Sequence, residues 1–83
     1  MKWSINKKDI VLLGTLQEHG ELTQYKLAKL SGVEWVTTLR HIIRLENLGM
    51  LKRRSGTSRN SLICSITLKG SKLYEVLKVE QKS

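Results

Sequence analysis

Residues 27–49 read LAKLSGVEWVTTLRHIIRLENLG, and this stretch decides how the chain folds. Gly32 divides two runs of helical apolar spacing, the position glycine takes just past a helix end. Before it, Leu27, Ala28 and Leu30 supply the buried side of a short helix. After it, the spacing predicts a helix from about Glu34 to Leu48, opened by the negative charge of Glu34 and ended by Gly49. Laid out at about 100° per residue, that helix carries Trp35, Thr38, Leu39, Ile42 and Leu45 on one side. Val36, Thr37, Arg40, Arg44 and Asn47 gather on the other, with His41 at their edge. The stretch therefore specifies two helices joined by a tight turn, the second presenting a narrow polar and cationic stripe.

Working outward, Asn6 is placed to cap a first helix, with Asp9 three residues later and Ile10, Leu13 and Leu16 at helical spacing before Gly20. Gly14 within it leaves room for a close helix approach, although simple tolerance of a glycine is the first reading. Thr23 caps the second helix, with Leu22 and Leu27 spaced as a hydrophobic staple. Beyond Gly49, Met50 to Arg54 and Ser61 to Thr67 read as two strands around the polar loop Ser55 to Asn60, a hairpin over 50–67 with a basic tip. Thr67 caps a last helix whose apolar face is Leu73, Val76 and Leu77, whose Lys69, Lys72 and Lys78 stay solvated, and whose tail frays after Glu80. Helices combined with one hairpin make an α+β fold.

Composition narrows the partners. At 83 residues the chain supports one core, so 1–83 is read as a single domain. Phe is absent, so that core must be aliphatic. Fifteen Lys and Arg against 7 Asp and Glu give a net charge of +8, which favours a polyanionic partner. The excess is greatest between residues 34 and 68, where six Lys or Arg face two acids. One cysteine, Cys64, excludes an internal disulfide. With no signal-like apolar start and no membrane-length apolar run, a soluble, cytoplasmic protein without membrane partners is expected. His19, His41 and Cys64 have no ligand spacing, so no metal or other cofactor is expected. No Ser, His and acid constellation and no glycine-rich phosphate loop occur, and no enzymatic activity is expected.

The order of elements, with Leu27-Ala28, Gly32-Val33, Arg40-His41-Ile42, Leu45 to Gly49 and Ile66-Thr67-Leu68-Lys69-Gly70, resembles the winged helix-turn-helix family, especially small prokaryotic regulators of the MarR and ArsR kind. The resemblance implies a three-helix core, a hairpin wing and a C-terminal helix, and a transcriptional regulator that binds double-stranded DNA. A helix fits the major groove, where an Arg fork meets guanine. Val36, Thr37 and Arg40 are assigned to base reading, Arg44 is shared between bases and backbone, and His41 lies beside them. In the wing, Lys52 and Arg54 face the backbone, Arg53 points away by strand alternation, and Arg59 is the candidate for the minor groove. Trp35 is assigned to packing. Family relatives are often homodimers, and Trp3, Ile5 and the face around Tyr74 offer an apolar patch for one. No small-molecule ligand is identifiable. Two other readings stay open: a winged-helix module for protein contacts, which would carry apolar residues or acids on the outer stripe, and a non-specific architectural or replication protein.

Overall fold

A computed structural model of the chain describes residues 5–56 and 61–82. Helix α1 (Lys7–His19) starts where the Asn6 side chain accepts from the Asp9 amide and the Asp9 carboxylate accepts from the Asn6 amide, both at 3.1 Å. This reciprocal cap satisfies two donors that a helix start leaves unpaired. After strand β1 (Leu22–Thr23), helix α2 (Gln24–Ser31) is capped by Thr23 Oγ1, which accepts from the Lys26 amide at 3.1 Å. Gly32 closes α2 with φ 78°, a left-handed conformation that costs glycine nothing, and its amide donates to the Ala28 carbonyl at 3.0 Å. Helix α3 (Trp35–Asn47) follows, with Glu34 and Leu48 as the flanking caps of the segment expected over 34–48.

Strands β2 (Leu51–Ser55) and β3 (Leu62–Ile66) form the hairpin, paired from Leu51↔Ile66 to Ser55↔Leu62. Helix α4 (Leu68–Lys82) then begins, the Thr67 hydroxyl accepting from the Gly70 amide at 3.0 Å and donating to the Gly49 carbonyl at 2.7 Å. The expected sequence of helices and hairpin is thus present. The sheet has three antiparallel strands in the order β1-β3-β2. Strand β1 was not foreseen, because two residues show no alternation and its partners, Ile63 and Cys64, lie far along the chain.

Leu12, Leu13 and Leu16 of α1, Leu27 of α2, Ile42 and Leu45 of α3, Met50, Leu51 of β2 and Cys64 of β3 make one buried cluster. Each large aliphatic side chain taken out of water contributes about 1.5–3 kcal/mol. Four details differ from the sequence reading. Leu30 is exposed, because the eight residues of α2 bury only the arc of Leu27 and Ala28. Trp35 is 43% exposed and outside the core. On α4 it is Leu73 and Tyr74 that pack on the core while Val76 is exposed. The same helix continues past Glu80 to Lys82, no Gly or Pro following Gly70 to stop it.

Two glycines mark close approaches. At Gly14 an added Cβ would lie 2.9 Å from Tyr74 Oη, so this position makes room for an α4 side chain and is more than a tolerated glycine. At Gly70 an added Cβ would overlap the Met50 backbone carbonyl where α4 crosses the start of β2. Backbone cannot swing aside as a side-chain tip does. Gly70→Ala is therefore expected to destabilise the fold by about 1–3 kcal/mol through overpacking, despite a gain in helix propensity of up to about 1 kcal/mol. Urea unfolding measures it, and an unchanged midpoint would refute the crossing.

Candidate nucleic-acid interface

Helix α3 is anchored on its inner face by Thr38, Ile42 and Leu45, all buried. The Thr38 hydroxyl also donates to the Val33 carbonyl at 3.2 Å, tying the helix start to the preceding turn. The opposite face exposes Val36, Arg40, Ile43 and Asn47, which fall at successive spacings of four, three and four along one stripe. Val36 is 56% exposed and Ile43 49%. Thr37 borders the stripe half-buried, its hydroxyl donating to Glu34 Oε1 at 2.7 Å. Ile43 is the residue that the sequence reading passed over. Its angle, about 20° from that of Val36, was the signal that could have found it.

One shoulder of the stripe is held by Asp9, whose side chain is wholly buried. The Nδ1 of His41 lies 2.5 Å from Asp9 Oδ1, and the Nε of Arg44 lies 3.4 Å from Oδ2. His41, 12% exposed, and Arg44, 34% exposed, therefore lean from the stripe toward the start of α1. On the other shoulder the Trp35 ring meets Tyr25 of α2 edge-on, centroids 6.3 Å apart at 60°, and Lys29 Nζ lies 6.0 Å from the Tyr25 ring. Trp35 packs here as an aromatic partner at the surface.

The hairpin supplies the second cationic element. Lys52 and Arg54 are exposed on its outer face. Arg53 points inward, as strand alternation predicts, donating to Glu46 of α3 at 2.7 Å and to Gln24 of α2 at 2.9 Å. That latch joins the wing to both helices of the helix-turn-helix. The hydrogen bond from Arg53 holds the Glu46 carboxyl below its ordinary 4.5. The latch is accordingly complete at neutral pH and weakens as pH falls through that lowered value. Arg54 pairs with Glu21 at 2.8 Å on the surface, where solvent screens the contact. Arg59 lies outside the described residues. Burial pushes the Cys64 thiol up to about 11, which keeps it an uncharged core residue.

Charge pairing separates the arginines. Arg44, Arg53 and Arg54 each face an acid, whereas among the described residues the Arg40 side chain makes no ion pair or hydrogen bond. His19 ends α1, His41 faces Asp9 and Cys64 is buried in β3, and among the described residues no three His, Cys, Asp or Glu side chains assemble around a point that could hold a metal. No described helix is long and apolar enough to cross a membrane.

The sequence model of the MarR family matches residues 5–58, well over half of the chain. No curated protein matches it. Among solved structures the chain is similar to YusO from Bacillus subtilis, at 23% identity and TM-score 0.86, over 94% of this chain and 56% of that one. It is similar also to BpsR from Bordetella bronchiseptica, whose DNA binding is regulated by 6-hydroxynicotinic acid, at 22% identity and TM-score 0.83, over 93% and 61% of the two chains. A MarR mutant from E. coli complexed with operator DNA aligns at 19% identity and TM-score 0.80, over 87% and 52%. At these identities the likeness is one of fold. The chain spans between 52% and 61% of the length of these three structures.

The Asp9 carboxylate is the polar link between α1 and the exposed helix, so its removal tests the site's scaffold. Asp9→Ala leaves His41 and Arg44 without their acid and breaks the Asn6 cap. A loss of about 1–3 kcal/mol is expected, the cost of the lost helix cap and of a lost hydrogen bond to a charged group. Chemical denaturation at neutral pH measures it, and a loss under about 1 kcal/mol would show that the carboxylate does not tie the helices together.

Proposed function

The chain belongs to the MarR family, and from that premise we propose that it is a sequence-specific double-stranded DNA-binding regulator of transcription. In this reading the chain acts as one domain, with α3 in the major groove and the β2–β3 hairpin as the wing. The observation that carries it is Arg40, exposed on the α3 stripe and without an ion pair or hydrogen bond among the described residues, where the neighbouring arginines already face acids. A solvated guanidinium on a helix face is what bidentate reading of guanine requires. Val36 and Thr37 accompany Arg40 at the bases, and Arg44, half-buried and turned toward Asp9, is shared between bases and backbone at the edge of the stripe. His41 serves the site by holding α3 to Asp9 at the edge of the contact. Lys52 and Arg54 take phosphates, since a phosphate displaces so weak an exposed partner as Glu21 at little cost. Arg59 is assigned to the minor groove.

The proposal contains no catalytic step and no cofactor, and it places the protein in the cytoplasm. The operator-bound MarR mutant and BpsR supply the analogy for a duplex partner. A homodimer is proposed as well, on a different patch from the one read in the sequence. Ile5 and Tyr74 pack against the core of their own chain, and Trp3 lies outside the described residues, whereas Val76 and Val79 of α4 are exposed. Sedimentation at micromolar concentration is expected to show twice the chain mass, and a monomer both free and on a palindromic duplex would overturn the dimer alone.

Arg40→Ala is expected to cost about 1–3 kcal/mol on the preferred duplex and to relax preference at one base position, with a much smaller loss on random DNA. Lys52→Ala is expected to weaken both duplexes alike and to lower the salt dependence by about one released counterion. Affinities on both duplexes across several salt concentrations separate the two patterns. Unchanged affinity and preference in Arg40→Ala would remove α3 as the reading helix.

A further inference from the structure

We infer that α3 reads thymine methyl groups on both sides of the base pair that Arg40 contacts, with Val36 on one side and Ile43 on the other. The inference rests on the proposed DNA-binding function and names the sequence class that it selects. The core is closed without these two side chains: Ile42, next in the chain to Ile43, is wholly buried, while Val36 and Ile43 remain about half exposed. Two helical turns apart on one face, the two side chains share a surface with Arg40. Both are β-branched and stiff at χ1, so they hold their methyls in one direction with little entropy left to lose.

Charge decides between occupants of that surface. Arg40 sits between Val36 and Ile43, and the chain carries a net charge of +8. An apolar protein surface laid over the stripe would desolvate Arg40 with no acid to receive it, a strongly unfavourable exchange. The major groove offers both chemistries at once, guanine acceptors for the fork and the thymine C5 methyl as its apolar group. Seven residues of helix separate Val36 from Ile43, a rise of about 10 Å, which spans about three base-pair steps with Arg40 inside the interval. The stripe therefore selects a guanine flanked by thymines on the faces that α3 touches.

Uracil in place of thymine deletes only the methyl and keeps the pairing. On the duplex selected from a random pool, replacing each contacted thymine is expected to weaken binding about fourfold, the worth of one buried methyl. Ile43→Ala is expected to bind the duplex with uracil at its own position as the native protein does, and to lose discrimination there while keeping it at the Val36 position. Circular dichroism and unchanged affinity for random DNA confirm that the variant is folded. Full replacement of thymine without effect, or equal weakening of thymine and uracil duplexes by Ile43→Ala, would overturn the inference and leave DNA binding standing. Val36→Ala and Ile43→Ala variants that bind every duplex normally would reassign the pair to a protein partner and overturn it too. If no duplex is preferred over random DNA, the proposed function falls and this inference with it.

Discussion

A carboxylate removed from water must be surrounded by donors, and Asp9 meets that demand by joining parts of the chain that are distant in sequence. It accepts from the Asn6 amide at the start of α1 and faces His41 and Arg44 in the middle of α3. The apolar core around Leu12, Ile42 and Leu45 supplies adhesion but little direction, since aliphatic contacts tolerate rotation of a helix about its axis. The polar contacts do not. With Asp9 on one shoulder and Thr38 bonded to Val33 at the start, α3 is held at the rotation that turns Arg40 outward.

The acids also determine what the positive charge can do. Of the cations between residues 34 and 68, Arg53 is committed to Glu46 and Gln24 and acts as a strut, Arg44 is drawn toward Asp9, and Arg54 rests on Glu21. A count of Lys and Arg therefore overstates the number of groups free to meet a partner. The acids are few, and three of them stand beneath or beside arginines, so among the described Lys and Arg between residues 34 and 68 only Arg40 and Lys52 make no ion pair.

Features written in neighbouring residues were legible from the sequence. Asn6 with Asp9, Thr23, and Gly32 marked helix ends that the structure places at those caps, and the alternation of Lys52, Arg53 and Arg54 identified the inward arginine. What escaped notice depends on contacts between distant residues. Asp9 reads locally as an ordinary first-turn acid, and nothing near it announces His41, 32 residues on. The pairing of Leu22 with Cys64 and the fit of Tyr74 over Gly14 are of the same kind. Trp35 packs against Tyr25 but at the surface and not on the core, because a helical angle says which way a residue leaves the axis and not how far the neighbouring helix extends to cover it. Tyr25 covers only its edge.

The strand order β1-β3-β2 has a mechanical side. Because β1 leads directly into α2 and β2 belongs to the wing, the two arms of the molecule grip opposite edges of a single strand, β3, and their separation is two strand widths of about 4.8 Å each. Arg53 braces the same gap from below. The sheet is thus a spacer between the helix-turn-helix and the hairpin: neither can change its distance from the other without breaking a ladder along β3.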